Sequence, residues 1–430
     1  MQQRPLTRLD QSQLDAVVRR HEMFRNARFG GARAILSFFD ISGLDLSGRD
    51  LAHADFVGAS LRGTNLGGAR LDCAAMFATD LRQANLENAS LIKTDLRGAC
   101  LRGAILVGAN LFESDLRDGS LAEKDRDGSL RIIQVESQPT EATGADLSGA
   151  NLTNARLSGA MAIHTDFTDA VMKGCKLVRA TMRGANFSGS NLEGADLSGA
   201  DLRGACLRGA VLTGASLTMT DMTDADMEEA LTDAPVGRVV AELGRPLEDL
   251  LREHILWVGT GGAQGAALDL SGFDLRHAPS LAHHCLTMLR AVGATLYGLD
   301  LTSVQLQAAV LENADMRVAK LQGSDLRGIN LKNAKLNNAD LRTANMRPLY
   351  FDEKRSMRSD LTGVRLRYAD LRGACLREVT LAGADLSFAN LIGCDMAKAD
   401  LTSARLFGAK LERKALMDGV ILDGVAGLKL

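Results

Sequence analysis

Large apolar residues return at every fifth position over residues 41–121 of this chain, without a slip of phase. The run begins ISGLD, LSGRD, LAHAD, FVGAS, so that Ile41, Leu46, Leu51 and Phe56 open successive groups of five. A period of five is neither the 3.6 of an α-helix nor the 2 of a β-strand. The pattern therefore predicts a chain that turns a corner every five residues and keeps each large apolar side chain inside.

The neighbours of each large apolar residue, here called the centre, predict the shape of the turn. A small residue stands two places before the centre, as at Ala54 and Ala84, and Asp or Asn stands directly before it, as at Asp55 and Asn65. A polar residue and often Gly follow the centre, and Gly, Asn and Asp suit tight corners. We expect the centre and the small residue to point inward. Four such sides make a coil of about twenty residues, and coils stack as a solenoid at roughly 4.8 Å.

The repeat A-[D/N]-L-x-x resembles that of the pentapeptide-repeat family. The resemblance covers roughly residues 41–121, 145–229 and 268–425, which is most of the chain. It implies an all-β solenoid, the right-handed quadrilateral β-helix. It does not imply a particular activity, because fold and function are separate questions.

Two segments outside the repeat predict amphipathic helices, one at residues 11–29 and one after Pro246. A β-helix leaves an open strand edge at its end, which invites aggregation, so we expect each helix to cap a solenoid. The predicted domains are therefore 1–235 and 236–430, each a cap helix followed by a β-helix. The corresponding positions of the two helices are Leu14, Val17, Val18, His21 and Phe24 in the first and Leu247, Leu250, Leu251, His254 and Trp257 in the second.

The repeat of the first domain is interrupted at residues 122–141 and resumes at Leu147. Asp127–Gly128 is typical of a tight turn, so a protruding hairpin or loop is expected there. The first run is expected to end at Leu121.

The repeat of the second domain is interrupted at residues 347–359. After this break the centres are expected to continue from Leu361 through Leu411, Leu416 and Ile421. Residues 276–292 are the least regular part of the repeat, and a short helix is the alternative there.

Composition narrows the class of protein. The formal net charge of -3, from 50 basic and 53 acidic residues, favours neither a nucleic-acid binder nor a strongly acidic decoy. Seven cysteines without a CxxC pair suit a reducing compartment. The opening residues lack an apolar leader and the chain lacks a long apolar run, so we expect a cytoplasmic protein, bacterial in type, without a membrane span.

The candidate chemistry is sparse. Asp before a centre alternates freely with Asn, and an amide cannot act as a general base, so a hydrogen bond within the turn is the favoured role. The histidines of the two helices are expected to pack with one ring nitrogen bonded to backbone. The only local set of metal-ligand types has spacing that fits no common zinc motif, and exposed imidazoles in an irregular segment are favoured. These residues are His277, His283, His284 and Cys285, and the cysteines of the repeated RGACLR context, Cys100, Cys206 and Cys375, are expected to be substitutions at the turn.

The sequence thus favours a non-enzymatic scaffold that binds protein partners through flat faces and two loops, without catalytic, cofactor or metal residues. The family resemblance implies an alternative, a DNA mimic that binds DNA gyrase or a related topoisomerase. No direct contact with nucleic acid is expected of the scaffold, and its apolar C-terminal end could form a homodimer. Aromatic and basic residues of the two loops are the predicted partner-binding residues: Lys124, Arg126, Arg347, Tyr350, Phe351, Lys354, Arg355 and Arg358.

Overall fold

The computed structural model describes residues 6–119, 122–124, 130–132, 139–352 and 354–428. Over these residues the chain forms two compact units, the first ending at Ala234 and the second beginning at Pro235. Each unit begins with a helical segment and continues as a coil around a buried apolar column. The first helical segment is residues 6–34, and the second is residues 236–268.

The first unit opens with strand β1 (Thr7–Arg8) and helix α1 (Gln11–Arg25). Strand β1 pairs in parallel with strand β2 (Phe39–Asp40). Strands β3 (Ala122–Lys124) and β4 (Leu130–Ile132) pair antiparallel as a hairpin within the predicted break. Helix α1 is shorter than the segment 11–29 that the sequence predicted.

The second unit repeats this order. Strand β5 (Arg238–Val239) is followed by a 3₁₀ helix (Val240–Leu243) and helix α2 (Leu247–Gly259), and β5 pairs in parallel with strand β6 (Phe273–Asp274). Strands β7 (Leu349–Tyr350) and β8 (Ser356–Met357) form an antiparallel hairpin, and a second 3₁₀ helix covers Arg413–Leu416. In the part of the chain that the structure describes, no helix has the length and apolar character of a membrane span.

The coil of each unit has four sides. Single parallel bridges join the residue before one centre to the residue before another, as in Asn65 with Asn85, which are 20 positions apart. Since the chain turns every five residues, a spacing of 20 closes one coil of four sides. The bridge ladder runs from Ile35 to Leu231 in the first unit and from Asp269 to Ala426 in the second.

The core is a continuous column in each unit. The centre Leu61 and the small residue Ala59 are both essentially unexposed, and this inward pair recurs in every regular coil. Aromatic centres also fit, and the rings of Phe167 and Phe187 stack with centroids 4.9 Å apart. Burial of one side chain in each coil against the next explains why the period of five is kept so strictly, because a slip would expose a centre.

The residue before the centre makes the predicted hydrogen bond of the turn. The Oδ1 atom of Asp55 accepts the amide of Val57 at 3.1 Å, and Asn65 accepts the amide of Gly67 at 3.2 Å. The residue two places after the centre has a left-handed backbone, with φ of 64° at Gly63. Glycine at this position avoids the strain that a Cβ atom meets there.

Three details of the phase differ from the sequence prediction. After the hairpin of the first unit, the repeat resumes at Ala142, one group of five before Leu147. Ala142 is buried, and Glu141 pairs with Cys100. Residues 281–292 form regular sides rather than a short helix. Ile421 is not a centre, because it pairs with Asp400 and is 45% exposed.

The 3₁₀ helix at Arg413–Leu416 interrupts the C-terminal end of the repeat. Leu416 ends a 3₁₀ helix and does not occupy a side of the coil. One extra residue shifts the phase, so that Leu422 packs against the column instead of Ile421. The predicted end of the first run, Leu121, lies outside the described residues.

Both helices bury one face against the first coil of their unit. Helix α1 buries Leu14, Val18 and His21, and helix α2 buries Leu247, Leu251 and His254. These are corresponding positions of the two predicted helices.

The buried histidines bond to backbone, as predicted. His21 Nδ1 accepts the amide of Ala34 at 3.0 Å, and its Nε2 donates to the carbonyl of Ala52 at 3.1 Å. His254 Nδ1 accepts the amide of Leu268 at 3.1 Å. Burial lowers the pKa of both imidazoles, so both are neutral acceptors at neutral pH.

Candidate protein-binding surface

The outward residues of the coils form rows of paired charges. Arg97 follows a centre and turns back onto Asp95 of the same group, with Nε–Oδ1 and Nη2–Oδ2 distances of 2.8 Å each. This two-point contact is the strong form of an arginine–carboxylate pair. The same arrangement recurs at Asp80–Arg82, Asp115–Arg117, Asp201–Arg203, Asp325–Arg327, Asp340–Arg342 and Asp370–Arg372.

These pairs keep the carboxylates ionised and neutralise them locally. Burial by itself would raise the pKa of Asp80, but hydrogen bonds from the Arg82 side chain and amide bring it below its ordinary value. Hydrogen bonds from Arg203, and then from Arg183 of the preceding coil, lower the pKa of Asp201 strongly. An isolated row of carboxylates would attract cations, whereas these rows present alternating charges of both signs.

The hairpin of β7 and β8 is attached firmly to the coil of the second unit. The hydroxyl of Ser359, which is fully buried, accepts the amide of Gly328 at 3.0 Å and donates to the carbonyl of Leu326 at 3.2 Å. A Cβ atom on Gly328 would lie 3.0 Å from Leu349 Cβ and 3.3 Å from Met357 Cγ. The base of the hairpin therefore rests directly on the backbone of a coil.

The tip of this hairpin presents two aromatic side chains. Tyr350 is 62% exposed and Phe351 is 58% exposed. The turn beyond them is held by Asp352, whose Oδ1 accepts the amides of Lys354 and Arg355 at 2.9 and 2.8 Å. Aromatic side chains on a braced turn lose little conformational freedom when they bind, which is the property of an interface anchor.

The predicted basic residues of this loop differ in their contacts. Arg355 Nε donates to Asp352 Oδ2 at 2.6 Å, and Arg358 lies 3.9 Å from Glu378. Arg347 Nε donates to the neutral amide of Asn345 at 3.2 Å. Lys354 is exposed, and no carboxylate of the described chain pairs with its side chain. The structure thus brings all the predicted residues of residues 347–359 to one hairpin.

The other predicted loop is described only in part. Lys124 ends strand β3 of the first hairpin, and Arg126 lies outside the described residues. This hairpin returns to the coil through Thr140, whose buried hydroxyl accepts the amide of Gly98 at 2.9 Å. The same hydroxyl lies 3.1 Å from the carbonyl of Leu96.

Sequence reasoning missed Thr140 and Ser359 as the anchors of the two hairpins. The two residues are equivalent. Each stands two places before a centre, and the hydroxyl of each accepts a hydrogen bond from the amide of a glycine in the preceding coil. A hydroxyl residue two places before the first centre after a break was the available signal. It replaces the Ala usual at that position, which has no acceptor to offer.

The histidine-rich stretch, residues 283–285, belongs to the regular sides of the coil in the second unit. His283 occupies a left-handed turn position with φ of 63°, and His284 Nδ1 lies 3.0 Å from the carbonyl of Ala282. The Sγ of Cys285 lies 3.8 Å from the hydroxyl of Thr287. Over the described residues, no group of three metal-ligating side chains converges here or elsewhere.

Six of the seven cysteines fall into two positions of the repeat, and Cys73 lies at the left-handed turn position with φ of 56°. Cys100, Cys206 and Cys375 stand directly before a centre, where their context predicted them. Cys175 and Cys394 are buried at the small position, and their thiols donate to the carbonyls of Leu152 and Leu371 at 2.8 and 2.9 Å. Burial raises the pKa of each of these two thiols to about 12.

Comparisons with solved structures give three partial likenesses. A pentapeptide repeat protein of the Arabidopsis thaliana thylakoid lumen is 28% identical over 28% of this chain and 68% of its own, with a TM-score of 0.21. HetL of Nostoc sp. strain PCC 7120, which is involved in heterocyst differentiation regulation, is 20% identical over 97% of this chain and 94% of its own, with a TM-score of 0.14. QnrB1, a plasmid-mediated fluoroquinolone resistance protein, is 15% identical over 62% of this chain and 91% of its own, with a TM-score of 0.23.

These low TM-scores carry no argument about function, and no curated protein matches the sequence significantly. The family itself rests on the repeats. The family model of pentapeptide repeats matches residues 40–73, 78–118, 143–177, 165–204, 175–214, 190–228, 313–347, 358–383 and 380–413, which together are more than half of the chain. With its four-sided coil and its strict period of five, the chain belongs to the pentapeptide-repeat family.

Proposed function

We propose that this protein is a non-enzymatic cytoplasmic scaffold that binds a protein partner through the β7–β8 hairpin. The observation that carries the proposal is the pair Tyr350 and Phe351. Both side chains are more than half exposed, on a hairpin whose base is hydrogen-bonded to the coil through Ser359. Other phenylalanines, such as Phe29 and Phe407, are exposed singly, whereas Tyr350 and Phe351 are adjacent on one turn. Aromatic residues with arginine dominate interface energetics. The basic residues around them favour a partner with an apolar pocket and an acidic rim.

The DNA-mimic alternative receives less support. Recognition of a DNA-binding enzyme would need a continuous row of unpaired carboxylates. The carboxylates before the centres are instead paired with arginine of the same group, as at Asp95 and Asp115. The scaffold hypothesis therefore accounts better for the described surface.

We also propose that α1 and α2 act as caps of their coils, which wind in the right-handed sense that the family resemblance implies. Support for the first cap comes from its bonds to the open edge: Leu9 donates its amide to Asp40, and Arg8 donates to the carbonyl of Ser42. A homodimer through the C-terminal end is a further part of the proposal, since Met417 is 75% exposed there beside half-buried apolar residues. Removal of residues 416–430 takes away the last sides of the coil, including Leu422, and is expected to leave the earlier coils folded and to reduce a dimer to a monomer in native mass spectrometry.

The partner hypothesis is tested by site-specific crosslinking in the source cell. A photoreactive phenylalanine analogue replaces Tyr350, and in a matched control it replaces Phe29, which is fully exposed in the first helical segment. We expect a protein to crosslink at 350 and not at 29.

The captured protein is then purified and titrated against the intact chain and the double variant Tyr350→Ser, Phe351→Ser. Loss of two aromatic anchors is expected to weaken binding by at least about a hundredfold, at about 1.4 kcal/mol for each factor of ten. Equal binding by the double variant at an unchanged melting temperature would refute the hairpin as the binding site. Turnover of a small substrate that one side-chain change abolishes would refute the non-enzymatic role.

A further inference from the structure

The two helical segments start their coils in the same way but complete the open edge differently. In the first segment, the carboxamide of Gln11 takes the place of a missing strand. Its Oε1 accepts the amide of Asp45 at 2.9 Å, and its Nε2 donates to the carbonyl of Asp45 at 2.9 Å. One side chain thus supplies the donor and acceptor that a neighbouring peptide group would supply.

The second segment lacks this side chain. Gln11 stands three places before the buried Leu14, and the residue three places before the corresponding Leu247 is Gly244. Asp45 stands before the third centre of its unit, and Ser280 stands in the corresponding place before Leu281. Among the described residues, no backbone group bonds the N–H or C=O of Ser280. Its hydroxyl bonds elsewhere, with the amide of Ala282 at 3.2 Å.

A cavity of about 450 Å³ is lined by Gly244, the residue that corresponds in sequence to Gln11. Gly244 and Pro279, the neighbour of Ser280, both line it, together with the start of helix α2. The position of the cavity thus follows from the internal correspondence of the two units as well as from its lining. Its volume falls within the range of ligand sites in proteins, roughly 300–1,000 Å³.

The residues in and beside this cavity carry an excess of negative charge. Its arginine, Arg245, is neutralised by a two-point contact with Glu253, with distances of 3.0 and 2.9 Å. Glu248 lines the cavity and Glu242 lies in the adjoining 3₁₀ helix, both exposed. No cation of the described chain pairs with either carboxylate.

We infer that this cavity, here called the second-cap groove, binds an extended basic peptide segment of a partner protein. The peptide group of the ligand would bond Ser280 as the Gln11 carboxamide bonds Asp45, which adds a strand to an exposed edge. A basic side chain beside it would pair with Glu248 or Glu242. This site is separate from the proposed β7–β8 hairpin and does not depend on it.

The test uses the full chain and a phage library of random twelve-residue peptides, selected in parallel on the natural protein and on Gly244→Gln. The glutamine restores a carboxamide at the position that corresponds to Gln11. A Cβ atom at Gly244 meets nothing within 4 Å, so the side chain has room, although the φ of 72° strains any non-glycine residue. Gly244→Ala carries the same strain without a carboxamide and is the matched control.

We expect lysine- or arginine-containing peptides to be enriched on the natural protein. In fluorescence anisotropy, synthetic copies of them should bind at least about tenfold more weakly to Gly244→Gln, a loss of about 1.4 kcal/mol, and almost unchanged to Gly244→Ala. The double variant Glu242→Lys, Glu248→Lys should also weaken them at an unchanged melting temperature, and it serves as the test if Gly244→Gln does not fold. Tyr350→Ser should leave this binding intact, which separates the groove from the hairpin.

The inference is overturned by any of three results. The first is that no peptide distinguishes the natural protein from Gly244→Gln. The second is that the enriched peptides are acidic or bind equally to the Glu242→Lys, Glu248→Lys variant. The third is that Gly244→Ala abolishes binding as fully as Gly244→Gln, which would assign the effect to backbone strain.

Discussion

The substitution Ser359→Ala tests how the proposed binding hairpin is held. Ser359 is fully buried, and its hydroxyl is the partner of the Gly328 amide at 3.0 Å. Alanine fits the same space, since most repeats carry alanine at this position, but it leaves a buried N–H group without an acceptor. Such a group costs about 1–3 kcal/mol.

We expect this cost to fall on the hairpin rather than on the whole protein. In a solenoid each coil contacts mainly its neighbours, so a local defect lowers local stability. The base of the β7–β8 hairpin rests on Gly328, and it should therefore open more often. A loss of about 1–3 kcal/mol corresponds to roughly 5- to 150-fold faster amide exchange.

The assay is native-state hydrogen exchange by mass spectrometry on peptides that cover Gly328 and strands β7 and β8. Ser190→Ala is the matched control, because Ser190 is equally buried but its hydroxyl has no hydrogen-bond partner in the described chain. Its removal should be neutral or slightly stabilising. The role of the hydroxyl as an anchor would be refuted if amide exchange at Gly328 were unchanged in Ser359→Ala. It would also be refuted if Ser190→Ala increased amide exchange near its own site by the same factor.

Three further predictions concern the repeat and the first helical segment. Because burial lowers the pKa of His21, the unfolded chain binds the proton more readily than the folded chain, so the free energy of unfolding should fall as pH drops below about 6.5. Urea titrations should show a smaller fall in His21→Gln, and the same fall as the natural protein in His53→Gln, where the side chain is exposed. With its pKa raised to about 12 and its side chain buried, Cys175 should react with iodoacetamide at pH 8 at least about a thousandfold more slowly than the exposed Cys73, and equal rates by mass spectrometry would contradict this. Asp80→Asn keeps an acceptor for the amide of Arg82 and loses only a half-exposed ion pair, so it should lower the free energy of unfolding in urea by less than about 1 kcal/mol. Asp80→Ala loses both and should lower it further. Equal losses in the two variants would show that the hydrogen bond of the turn contributes nothing.

The sequence alone determined the local geometry of the coil. The period of five, with Asp or Asn before each centre, specifies one turn and its hydrogen bond, because that bond joins residues two places apart, as Asp55 and Val57 show. Helical spacing at Leu14 and Leu247 likewise identified both helices and their correspondence. These features depend on near neighbours in the chain, and near neighbours are what a sequence pattern records.

Only the tertiary structure decided which distant groups meet. Ser359 and Gly328 are 31 residues apart, and the length of the break at 347–359 decides that these two residues bond. One inserted residue likewise moved the last centre to Leu422. The sequence shows Gly244 and Ser280 only as two unrelated small residues. Gly244 and Pro279, the neighbour of Ser280, line one groove because the coil brings them together. A contact across an open edge depends on stacking that no local pattern encodes.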